Sequence, residues 1–77
     1  GAEADIEQLL EGARIYEQVK GEKPNALVLF IYAERPPKWL VEEAEKHGII
    51  VDNSPKRIAR ALAKIEEELR RKRAGQK

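Results

Sequence analysis

The chain has no cysteine, no methionine and no threonine, and only one serine and one histidine among its 77 residues. Without cysteine there is no disulfide framework, no thiolate metal site and no thiol nucleophile. That absence fits a reducing compartment, and a cytoplasmic location is expected. A single histidine, His47, cannot build a site of paired histidines, so no metal or other cofactor is expected. Long apolar runs are missing as well. The longest, Ala26–Ala33, has eight residues, against about 20 for a membrane span. No signal-peptide pattern precedes the first helical segment, and no membrane partner is expected. Nor is there a glycine-rich loop of the kind that cradles phosphate. No small-molecule substrate and no catalytic residue follow from this inventory.

What the chain does have is that eight-residue run, which is continuous rather than alternating. A strand apolar on both faces needs cover on both, the habit of parallel sheets flanked by helices. Helical spacing of Ile6, Leu9, Leu10, Ala13, Tyr16 and Val19 predicts an amphipathic helix over about Ala4–Lys20, stopped by Gly21. Lys23-Pro24-Asn25 is a turn into the strand, and Glu34-Arg35-Pro36-Pro37 ends it. A second helix is expected over about Pro37–His47, burying Leu40, Val41 and Ala44, and a short strand over Ile49–Val51. Ser54-Pro55 is a serine cap followed by proline at the first helical position. It opens a last helix that runs to about Arg73 and buries Ile58, Leu62, Ile65 and Leu69. The fold class is α/β, in the order α-β-α-β-α, with a parallel β-α-β unit at its centre. Residues 1–77 read as one small domain. The start Gly1-Ala2 reads as a trimmed initiator or as a tag scar on an excised piece. The second is expected, with residues 1–3 scar or disordered start and 74–77 a disordered basic end.

Two parallel strands make a poor sheet with bare edges. Completion of the sheet by a second chain, in a homodimer or through the helices, is therefore expected. The alternative is a monomer in which three helices wrap two strands. Trp39, Phe30 and Tyr32 are the expected interface residues, because large aromatics make good anchors.

Charge is unevenly spread. The net charge is +1, yet residues 54–77 carry nine cations against three carboxylates, leaving residues 1–53 at −5. Lys56, Arg60 and Lys64 recur every four residues, with Arg57 beside them and Arg70, Arg71 and Arg73 further on. Cations in the first turns of a helix oppose its dipole. The seven residues form the candidate anion-binding set, and three readings stay open: carboxylates of a partner or of this chain, nucleic-acid phosphate, or a solvated face without a role. Ion pairs are expected at Glu42–Lys46, Glu66–Arg70, Glu67–Arg71 and Glu68–Lys72. Charged residues reach 38% of the chain, a bias shared with heat-adapted proteins. Ser54 is read as a helix cap and His47 as a helix-end residue, not as a catalytic pair.

Two resemblances add to this reading. Asp5-Ile6-Glu7-Gln8-Leu9-Leu10, Ala13-Arg14-Ile15-Tyr16-Glu17, Gly21-Glu22-Lys23-Pro24 and Ala44-Glu45-Lys46-His47-Gly48-Ile49 resemble the C-terminal half of archaeal proteins of the PD-(D/E)XK nuclease-like superfamily. The likeness covers roughly residues 4–53. It implies a nuclease-like half-domain whose catalytic strands would precede residue 1, so enzyme activity would require segments this chain lacks. Gln18-Val19-Lys20 mimics that family's acid-any-lysine triplet only superficially, since it falls in a helix. Glu43–Pro55 followed by Ile58-Ala59-Arg60-Ala61-Leu62 looks like the end of the cytoplasmic domain of flagellar and type III export switch proteins. The self-cleaving asparagine-proline-threonine-histidine loop of that family is absent. The reading that results is a non-catalytic assembly or recognition module that self-associates, with a nucleic-acid-binding accessory domain as the alternative.

Overall fold

The computed structural model describes residues 2–76 and is an α/β fold. Helix α1 (Ala2–Lys20) leads to strand β1 (Leu27–Phe30), helix α2 (Lys38–Lys46), strand β2 (Ile49–Asp52) and helix α3 (Pro55–Ala74). The expectations for Gly1 and Lys77 lie outside the described residues. Ala2 and Glu3 already belong to α1, and α3 continues to Ala74 with Gly75 as its C-cap.

The glycines at the helix ends explain two of the stops. Gly21 (φ 76°) and Gly48 (φ 69°) adopt the left-handed conformation that ends a helix without a Cβ clash. At the first of them, the amide of Gly21 donates to Glu17 O at 2.8 Å. Ser54 caps α3 as expected: its Oγ accepts from the amide of Arg57 at 3.2 Å, and Pro55 fills the first helical position.

β1 and β2 pair in parallel, with Leu27 opposite Ile49 and Phe30 opposite Asp52. Strand alternation places Leu27, Leu29 and Ile31 on one face with Ile49 and Val51. There they pack with Ile6 of α1 and Leu40 and Ala44 of α2, the buried centre of the molecule. Val28, Phe30, Ile50 and Asp52 turn to the other face, where α3 lies along β2.

Three expectations are corrected. The apolar run does not form an eight-residue strand. β2 offers only four residues, ending at Asp52 where the chain turns away, so β1 is four residues long, with one further bond from Ile31 N to Asp52 O at 3.1 Å. Ile58, Leu62, Ile65 and Leu69 are half-buried rather than buried. A four-residue strand covers about 13 Å, whereas twenty helical residues extend about 30 Å, so α3 outruns the sheet beneath it. Tyr16 and Val19 are exposed, the latter at 74%. α1 is likewise too long for the sheet, and its last turns pass beyond the start of β1. The molecule accordingly spans 44 × 28 × 18 Å.

Candidate interaction site

Asp52, the last residue of β2, organises the start of α3. Its Oδ1 accepts the amides of Asn53 (2.7 Å) and Ser54 (3.0 Å), closing a tight turn. The Arg57 guanidinium then forks onto the same carboxylate, with Nη2 at 2.8 Å from Oδ1 and Nε at 3.0 Å from Oδ2. Nη2 also donates to Asn53 Oδ1 at 2.8 Å. Asn53 Nδ2 reaches back to the carbonyls of Ala33 (2.7 Å) and Glu34 (2.6 Å), tying the loop after β1 to the loop after β2. The hydrogen bonds from Arg57 lower the pKa of Asp52 from 3.8 to about 2; partial burial opposes this, and the two backbone amides assist it. The same contact raises the pKa of Arg57.

Arg57 is thus engaged within the chain, and the seven candidate cations do not form one surface. Arg70 and Arg71 share the Glu67 carboxylate at 3.4 and 3.6 Å. At 3.6 residues per turn, Lys56, Arg60 and Lys64 fall on one side of α3, while Arg70 and Arg73 fall nearer the side that meets Asn25, ahead of β1. Among the described residues Lys56, Arg60, Lys64 and Arg73 have no carboxylate within ion-pair distance. The expected ladder of ion pairs is also rearranged. Lys46 meets Glu43 rather than Glu42, Glu42 meets Lys38, and Arg70 meets Glu67 rather than Glu66. Among the described residues Glu68 and Lys72 do not form an ion pair. Only the Glu67–Arg71 pair is formed as expected. Arg57 also shows what the sequence reading missed. An Asp two residues before a Ser-Pro cap, with Arg one turn into the helix, is the pattern of this clamp, and it is visible in Asp52-Asn53-Ser54-Pro55-Lys56-Arg57.

The aromatic candidates separate in the same way. Phe30 and Tyr32 meet edge to face at 5.0 Å beside the end of β1, and Tyr32 is 95% exposed. Trp39 lies across the sheet in the groove between α1 and α2. His47 and Ser54 stand at opposite ends of β2, too far apart to share a proton. Among the described residues no three His, Asp or Glu side chains converge on a metal position, and no helix is long and apolar enough to cross a membrane.

The remaining feature is the outer edge of β1. Because Ile31 N–H points to β2, alternation turns the N–H and C=O of Val28 and Phe30 to the unpaired side. By helical spacing Gly12, Ile15, Tyr16 and Val19 form a second stripe on α1, turned away from α2, and Tyr16 shares a shallow apolar groove with Leu9, Pro24 and Leu27 at the start of β1. Of the six large apolar side chains exposed among the described residues, five (Ile15, Tyr16, Val19, Phe30 and Tyr32) belong to β1, its extension or the helix above it. No family model matches this chain, and neither a curated protein nor a solved structure matches it.

Proposed function

We propose that this chain is a non-catalytic assembly module that self-associates, completing its sheet with a further strand along the outer edge of β1. The observation that carries this reading is the coincidence of unpaired backbone groups at Val28 and Phe30 with the exposed Phe30 and Tyr32 side chains on the same strand and its extension, and the exposed Tyr16 over its start. An apolar, uncharged edge is a template for another strand, and proteins that stay single blunt such edges with lysine, proline or a bulge. β1 has none of these between Leu27 and Phe30. The nuclease-like resemblance, which treats the chain as half of a larger α/β domain, likewise implies further strands.

The test is mass against concentration by sedimentation, combined with hydrogen exchange. Wild type is expected to grow in mass with concentration, and the Val28 and Phe30 amides to become protected in step. Phe30→Lys places a charge on the edge without removing a bond between β1 and β2, and should abolish the concentration-dependent protection of the amides at positions 28 and 30. A wild-type monomer with freely exchanging Val28 and Phe30 amides at every concentration would overturn the reading.

A further inference from the structure

Two other surfaces of this chain match each other. Between α1 and α2 runs a groove with an apolar floor of Ile6, Leu10 and Trp39, the last 48% exposed. Its rim carries Glu3, Glu7 and Glu43. Glu3 and Glu7 have no ion-pair partner among the described residues, and Glu43 is shared between Lys46, which faces solvent, and His47, which lines the same groove. On the opposite face of the sheet, α3 presents Lys56, Arg60 and Lys64, also unpaired, over about 12 Å of helix. Ala59 and Ala63, both exposed, lie beside them on the same outward face. Lys56 stands in the first turn of α3, at its positive end, where a cation has most to gain from an external carboxylate.

We propose that the α1–α2 groove takes the outward face of α3 from a second copy of this chain. Lys56, Arg60 and Lys64 meet Glu3, Glu7 and Glu43, and Ala59 and Ala63 allow the helix to settle on Trp39. A helix held by an apolar floor and a charged rim is a recurrent mode of recognition. The inference rests on the reading of the chain as a self-associating module, but it uses a different surface. A phosphate backbone would satisfy the three cations and leave the acidic groove unmatched, whereas a second copy satisfies both at once. Groove and stripe lie on opposite faces of the sheet, so the contact is head to tail and repeats from copy to copy.

The experiment uses Phe30→Lys as the parent, which removes association through the β1 edge. Two variants are built on it: Lys56→Gln/Arg60→Gln/Lys64→Gln, and Glu3→Gln/Glu7→Gln/Glu43→Gln. Circular dichroism checks their folding. At about 50 mM salt the parent should grow in mass with concentration, and its association should weaken about tenfold or more at about 500 mM, where screening is short-ranged. Each variant alone should be monomeric. Mixed in equal amounts, the two should form a species of two chains that grows no further, because one retains only its helix face and the other only its groove. The inference fails if the parent is monomeric at low salt, if its association ignores salt, or if neither variant alters it. It also fails if the helix face binds duplex DNA while the parent stays single. Wild-type association that disappears in the parent would retain the β1-edge reading and discard this one.

Discussion

Asp52 shows how one side chain sets a local structure. It accepts two backbone amides and a guanidinium fork, and its neighbour Asn53 ties down the loop after β1. Its pKa in the folded chain, about 2, lies below the ordinary 3.8. The contribution of this clamp to stability is therefore complete above about pH 3.8 and is lost as pH falls through about 2. Thermal melts of wild type and Asp52→Asn should differ most at neutral pH and converge toward pH 2. A constant gap between them across that range would show that the carboxylate charge is not what holds the turn. Glycines give a second prediction at this scale. A Cβ at Gly12 would meet nothing within 4 Å, and Gly12 sits inside α1. Gly12→Ala should thus stabilise the isolated chain by about 1 kcal/mol in chemical denaturation. Gly48→Ala, forced to a positive φ, should cost about 1–2 kcal/mol.

The elements differ in how much of each was legible from the sequence. Helix and strand order follows from punctuation that acts locally: Gly21, Pro36-Pro37, Gly48 and Ser54-Pro55 each stop or start a segment by backbone chemistry alone. Strand length does not act locally. The apolar run would support eight residues of strand, but pairing is limited by the partner, and β2 turns at Asp52. The outer turns of α1 were misread because apolar residues occupy two adjoining sides of that helix. Ile6, Leu9, Leu10 and Ala13 meet the sheet and α2, whereas Tyr16 and Val19 continue the spacing past the point where the sheet ends. The same geometry predicts unequal costs of truncation. Leu40→Ala, at 2% exposure, should cost about 2–5 kcal/mol. Leu69→Ala, on the part of α3 beyond the sheet, should cost less than half as much in the same denaturation assay.

At the scale of the whole molecule, the candidate site was legible as charge and illegible as a surface. Composition shows a basic end on an acidic body, but only the fold shows which cations are already matched. Arg57 is engaged by Asp52, Arg70 and Arg71 share Glu67, and Lys56, Arg60 and Lys64 are left together on one side of α3. The aromatic set divides in the same manner, with Phe30 and Tyr32 at the open strand and Trp39 in the helical groove. Nothing in the spacing of residues 30, 32 and 39 distinguishes these places, because the loop between β1 and α2 decides how the chain turns between them. The parallel register carries one more consequence. Every pair between β1 and β2 spans the same length of chain, so a single loop closure around α2 brings all four pairs within reach. The central β-α-β unit therefore closes with one loop around α2, and α1 and α3 pack onto its two faces from the two chain ends. Ile6 of α1 is one of the four buried residues among those described, so departure of α1 uncovers the centre, whereas α3 contributes no fully buried residue and is the helix free to fray first.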